Sequence, residues 1–228
     1  MNKIYKRASP IRLLFIGNSY IYYNDMPSIL ANLSRTSKDS CLIETQAVTF
    51  GGATLQAHWE SEEAHKALSN GVWDYVVLQE QSTLPIHDPA KMYQYVRLFN
   101  ERIENCGART MLYLTWARGD APETQDALSH AYCTIADEID AVVVPVGPAW
   151  QAAGHQTEFT LYDNDQSHPA FAGSYLAACV FYSVIMGEEP TRLVAELQGD
   201  ISNEHMIYLH NVAKIVTQQF GSKSVANG

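Results

Sequence analysis

Positive charge is scarce in this chain: 15 Lys and Arg stand against 25 Asp and Glu in 228 residues, a formal net charge of −10. Nucleic-acid binding needs clustered Lys and Arg against the phosphates, so this balance excludes a nucleic-acid partner. An acidic surface favours solubility and neutral substrates instead. Cysteine is also sparse. Cys41, Cys106, Cys133 and Cys179 are scattered, with neither Cys-x-x-Cys spacing nor the density of a disulfide scaffold, and they read as buried thiols. No apolar stretch approaches the roughly 20 residues of a membrane span. Neither Gly-x-Gly-x-x-Gly nor Gly-x-x-x-x-Gly-Lys-Ser/Thr occurs, so dinucleotide and nucleoside triphosphate sites lack support. The Gly-x-Ser-x-Gly elbow of the α/β-hydrolase fold is missing as well.

What is present is ordinary globular usage, 46% hydrophobic and 18% charged, enough to bury a substantial core. No repeat, low-complexity tract or linker divides residues 1–228, so one domain is expected. Basic residues before the first apolar run resemble a signal peptide superficially. That run leads straight into Gly17-Asn18-Ser19 without a small-residue cleavage site, and the expectation is a cytoplasmic protein.

Apolar strand-like runs alternate with amphipathic helical stretches, the pattern of a parallel sheet covered on both faces. Strands are expected at 11–16, 43–49, 74–79, 109–115 and 141–146, and helices at 26–37, 54–70, 89–105, 122–138, 169–186 and 202–220. Asp88 and Pro89 read as an N-cap with proline at the first helical position, and Cys106-Gly107 as the matching stop. Five strands with intervening helices predict a flavodoxin-like three-layer α/β/α sandwich. Ligands bind such sheets beyond the carboxyl ends of the strands, where Ser19, Gly51, Gln79 and Trp116 fall.

Ser19, in Gly17-Asn18-Ser19-Tyr20, stands where a buried strand gives way to a turn and a helix. A serine hydroxyl attacks poorly unless an imidazole takes its proton and a carboxylate orients that imidazole. The segment Asp163-Asn164-Asp165-Gln166-Ser167-His168-Pro169 supplies both. Three residues of separation let the carboxylate of Asp165 curl back to Nδ1 of His168 while Nε2 points outward. Pro169 disfavours a helical conformation at His168 and suits the start of a helix. Asp163 is a rival acceptor.

In these blocks the chain resembles the SGNH, or GDSL-like, hydrolase superfamily, over roughly residues 11 to 185. Gly17-Asn18-Ser19 matches the family's first block and Asp165-Gln166-Ser167-His168 its last. The resemblance implies a Ser19-His168-Asp165 triad and an oxyanion hole. The hole would be built from the backbone of Ser19 and of Gly51 or Gly52. The family adds an asparagine side chain from a Gly-x-Asn-Asp block, which this sequence replaces with Gln79-Glu80-Gln81-Ser82. A glutamine amide has the same donors on a longer arm, so Gln79 or Gln81 is a candidate, with Gln81 favoured. The implied activity is serine ester hydrolysis of a small acyl group, acetyl foremost, from a carbohydrate or other small molecule. No cofactor or metal is implied, and the oligomeric state stays open. A thioesterase or lipase acting on longer chains, or a silent ligand-binding domain of the same fold, are the alternatives.

Each feature has a plainer meaning. Asn18 or Ser19 can simply cap the first helix, an isolated Asp-x-x-His is commonly a surface turn, and Gly51-Gly52 a flexible bend. Asn18, Trp116 and Arg118 are the candidate substrate contacts: Trp116 for stacking on a sugar or acyl group, Arg118 for a carboxylate. For Arg118 a surface ion pair is the rival reading. Trp59, Trp73, Trp116 and Trp150 read as core by default, with stacking on a ligand the alternative for Trp116. His58, Glu62 and His65 share a helical face at i, i+4 and i+7, which permits metal ligation, although a solvated face is the favoured reading.

Overall fold

The computed structural model describes residues 9–36, 41–154, 156, 158–188 and 201–226. Five strands, β1 (Ile11–Gly17), β2 (Ile43–Thr49), β3 (Tyr75–Leu78), β4 (Arg109–Leu114) and β5 (Val142–Pro145), form one sheet in the order β2-β1-β3-β4-β5, with every pairing parallel. This is the flavodoxin-like order. The helices are α1 (Ser19–Tyr22), α2 (Met26–Thr36), α3 (Leu55–Glu60), α4 (Glu62–Asn70), α5 (Leu84–His87), α6 (Pro89–Asn105), α7 (Gln125–Ile139), α8 (Val146–Ala153), α9 (Phe171–Met186) and α10 (Asn203–Ala226).

The period-2 alternation of strand side chains divides the core in two. From β1, Leu13 and Phe15 enter a cluster with α2, α8, α9 and α10, while Leu14 and Ile16 enter another with α3, α4, α6 and α7. All four are fully buried, which is why β1 reads as an unbroken apolar run rather than an alternating one. The chain leaves β1 for β2 at one edge and then returns across β1 to form β3. The carboxyl ends of β1 and β3 therefore flank the crevice where the strand order reverses, and the segments after Gly17 and Leu78 meet there.

All five strands and the expected long helices are present, with shifts of a few residues at their ends. Residue 37, the expected end of the second helix, lies outside the described residues. Asp88 caps α6, its Oδ1 accepting from Lys91 N–H at 3.1 Å, and Gly107 stops it at φ +76°. The helix expected over 54–70 is two helices. Ser61, with φ −94° and ψ 146°, ends α3 and starts α4, and its hydroxyl donates to the carbonyl of His58. Serine competes with the helical backbone in this way. Pro169 does not open a helix: it pairs with Tyr162 in an antiparallel bridge, and α9 begins at Phe171. The helix expected after the Gly17-Asn18-Ser19 turn is the single-turn α1, capped by Asn18, whereas the short helices α5 and α8 were not expected. The cysteines are free, but only Cys179 is buried; Cys106 is exposed and Cys41 and Cys133 are partly so, which corrects the expectation of four buried thiols. No described helix is long and apolar enough to cross a membrane.

Gly173, in the first turn of α9, holds this helix against the segment that precedes His168. A Cβ there would fall 2.3 Å from the Leu161 carbonyl oxygen and 2.5 Å from Trp150. Alanine gains about 1 kcal/mol in helix propensity, but overpacking against backbone costs about 1–3 kcal/mol. Gly173→Ala is therefore expected to lower the urea midpoint with m unchanged. An unchanged midpoint would mean that the Leu161 segment yields freely.

Candidate active site

At the end of β1 the chain is pinned by its neighbour strand. Gly17 has no side chain because Gln79 takes the space: a Cβ would lie 2.5 Å from Gln79 Oε1. That oxygen accepts the Asn18 N–H at 2.8 Å. Asn18, in extended conformation, caps α1 by accepting the Tyr20 N–H, and its Nδ2 donates to the Ala53 carbonyl at 3.0 Å. Ser19 then opens α1, where a backbone N–H has no intrahelical acceptor. It is 6% exposed.

The imidazole and carboxylate come from one tight loop. Asp163 N–H donates to the His168 carbonyl and Ala170 N–H to that of Leu161, which closes the loop below the bridge between Tyr162 and Pro169. Asp165 Oδ1 accepts the N–H groups of Ser167 and His168, each at 2.9 Å, and Oδ2 accepts from His168 Nδ1. With Nδ1 donating to a carboxylate, Nε2 is left as acceptor, 2.9 Å from Ser19 Oγ. The imidazole hydrogen bond, with the two backbone bonds, holds the Asp165 carboxyl down to about 2, so it is ionised throughout the physiological range. The rival Asp163 turns its Oδ1 to the adjacent Asn164 N–H instead. Tyr23 stacks on His168 at 4.3 Å, Tyr20 meets it edge-on at 5.9 Å, and Asn24 Nδ2 donates to Pro169 O and Ser174 Oγ.

The other two blocks converge on the same edge. Phe50–Ala53 forms a turn with Gly52 at φ +67°, and the exposed N–H groups of Gly51 and Gly52 find no acceptor among the described residues. Gln79 is fully buried; besides accepting from Asn18 it donates Nε2 to the carbonyl of Glu80. Gln81 is half-buried: its Oε1 accepts the N–H groups of Thr83 and Leu84 at the start of α5, and its Nε2 donates to Ser82 Oγ at 3.2 Å. Between them Glu80 is buried, and burial pushes its carboxyl up to about 7.

The candidate substrate contacts fare differently. Trp116 is 1% exposed, stacked between Tyr20 at 4.5 Å and Trp150 at 3.8 Å, so neither face is open to a ligand; its Nε1–H donates to the Ser167 carbonyl. It supports the His168 loop from beneath. Asn18 is likewise buried, with its amide engaged at both ends. Arg118 pairs with Asp120 at 3.2 Å on the surface. His58, Glu62 and His65 do not gather. The break at Ser61 separates them, His58 Nε2 donates to the Gly17 carbonyl, His65 Nε2 to that of Trp59, and Glu62 pairs with Lys66. His58 is fully buried, so the solvated face expected for it is corrected too. Among the described residues no cluster of His, Cys, Asp or Glu can hold a metal. Tyr20, Tyr23, Asn24 and Glu80 were not anticipated; the aromatic run Tyr20-Ile21-Tyr22-Tyr23 beside Ser19 was the available signal.

No protein-family model and no curated protein matches the chain. Solved structures do. A protein from Slackia heliotrinireducens described as an SGNH hydrolase is 29% identical, with TM-score 0.67, covering 78% of this chain and all of its own. A DUF4886 family protein from Bacteroides uniformis is 19% identical, with TM-score 0.72, over 92% of this chain and 95% of the other. An acetylxylan esterase from Geobacillus stearothermophilus is 18% identical, with TM-score 0.64, over 83% of this chain and all of the other. With the blocks in family order on the sheet that this family uses, the chain belongs to the SGNH, or GDSL-like, hydrolase superfamily.

Proposed function

We propose that this protein is a serine ester hydrolase that removes a small acyl group, acetyl foremost, from a carbohydrate. The observation that carries the reading is the relay in which His168 Nε2 lies 2.9 Å from Ser19 Oγ while Nδ1 is held by Asp165. In the proposed reaction Oγ attacks the ester carbonyl as Nε2 takes its proton, and Asp165 stabilises the imidazolium that forms. The backbone N–H groups of Ser19 and of Gly51 or Gly52, with a glutamine amide, Gln81 foremost, receive the developing oxyanion. His168 returns its proton to the leaving alcohol, and water, activated by the same imidazole, releases the acyl group. The acetyl preference is supported by the likeness to an acetylxylan esterase.

Incubation with a fluorophosphonate probe is expected to modify Ser19, with labelling abolished in Ser19→Ala. Ser19→Ala and His168→Ala should each remove nearly all turnover of p-nitrophenyl acetate, and the double variant little more, because the pair acts as a unit. Asp165→Asn should cost less than His168→Ala, and Asp163→Asn least; a more damaging Asp163→Asn would overturn the triad assignment.

Acyl-chain preference is expected to fall steeply from acetate to octanoate in kcat/KM across p-nitrophenyl esters, since a small pocket rejects added methylenes. A rise with chain length would favour a lipase or thioesterase.

The glutamines should separate as donor and brace. Gln81→Ala is expected to lower kcat by about 10²-fold with little change in KM, the usual result of losing one oxyanion donor. Gln79→Ala, which removes the acceptor of the Asn18 N–H, should appear first as a lower melting temperature. The reverse pattern in steady-state kinetics and thermal melts would transfer the role to Gln79.

A further inference from the structure

Among the described residues, Glu80 is the one buried carboxyl, and the proposed reaction does not use it. Its Oε1 accepts two backbone N–H groups, that of Leu55 at 3.1 Å and that of Gln81 at 2.7 Å, and its own N–H donates to the Tyr132 hydroxyl at 3.2 Å. Oε2 is buried without a hydrogen-bond partner among the described residues. Burying a carboxyl with half its acceptors unmet is costly, and an apolar residue would fill the space at less cost to stability. The arrangement therefore calls for a role beyond packing.

That role follows from what the two N–H groups belong to. Leu55 is the first residue of α3, separated from the turn that carries Gly51 and Gly52 by the helix cap Thr54, and Gln81 lies in the loop after β3. Gly51 and Gly52 are exposed and have no side chains with which to hold their own N–H groups in place. The turn that carries them is connected by Phe50 N–H to Gly17 O, by Asn18 Nδ2 to Ala53 O, by the Phe50 ring stacked at 5.1 Å on His58, and by Leu55 N–H to Glu80. The first three tie it to the nucleophile strand, since His58 itself bonds the Gly17 carbonyl, and among the hydrogen bonds of the described residues the last is the one that ties it across to the end of β3. We propose that Glu80 is a positioning residue of the oxyanion hole, a single carboxyl oxygen that sets the glycine turn and the Gln81 loop at a fixed spacing around Ser19. The inference rests on the esterase reading and concerns a residue of the Gln79-Glu80-Gln81-Ser82 segment that stands in place of the family's asparagine block.

Donors displaced by a few tenths of an ångström lose transition-state stabilisation while substrate still binds, so the effect belongs in kcat. Glu80→Ala is expected to lower kcat for p-nitrophenyl acetate by about 10- to 100-fold, with KM within about twofold. Glu80→Gln, whose carbonyl oxygen can accept both N–H groups, should restore kcat to within a few fold of wild type. Glu80→Asp, one methylene too short to bridge both, should resemble Glu80→Ala, and it decides the matter if Glu80→Ala fails to fold. Wild-type kcat in folded Glu80→Ala or Glu80→Asp would overturn the proposal, as would equal losses in Glu80→Gln and Glu80→Ala. Fluorophosphonate labelling of Ser19 and turnover in the wild type, measured alongside, separate this from failure of the esterase reading. Without either, both readings fall together.

Discussion

The contact on which the site depends is the hydrogen bond from the Asn18 N–H to Gln79 Oε1, made possible by the missing side chain at Gly17. It joins the ends of the two strands that flank the reversal of strand order. A methyl group on Gly17 would push Gln79 away, and with it the brace that decides where α1 starts. Because α1 begins one residue later, Ser19 inherits both a free backbone N–H and a side chain directed to the crevice edge, where His168 meets it. A glutamine in place of the family's asparagine therefore has a structural reading that is independent of oxyanion binding. Its longer arm reaches back to the neighbouring strand.

Most of the fold was legible because it rests on long segments of regular period. Four of the five strands are largely apolar runs, β2 at the sheet edge being the polar exception, and the long helices carry their own stops and starts, as Asp88-Pro89 and Cys106-Gly107 do. What escaped was short. The single-turn helix α5 is too brief for periodicity to register, and α8 follows β5 with no intervening polar residue, so Val146 read as strand. The break at Ser61 had no proline or glycine to announce it, and assuming one continuous helix produced an apparent metal-binding face.

At the site, legibility tracked distance along the chain. Asp165 and His168 could be paired on paper because three residues separate them, and Ser19 because its block follows a strand. The core reading of Trp116 holds and its ligand-stacking alternative does not: its position at a strand end is visible in the sequence, whereas the rings of Tyr20 and Trp150 that cover its two faces come from 96 residues before and 34 after. Glu80 was passed over for a related reason. Its partners lie on α3, α7 and the next residue, and only the folded chain brings these together.

The loop that carries both Asp165 and His168 also has an entropic consequence. Three residues from three parts of a chain would need two long closures to meet, but here the carboxylate and imidazole are three residues apart and pre-assembled by the backbone bonds at Asp165. The remaining closure joins Ser19 to His168 across 149 residues, and the entropy of such closures grows only with the logarithm of length. The constellation thus has two moving parts rather than three. Any displacement of this loop would carry imidazole and carboxylate together, so Ser19 would face both groups or neither.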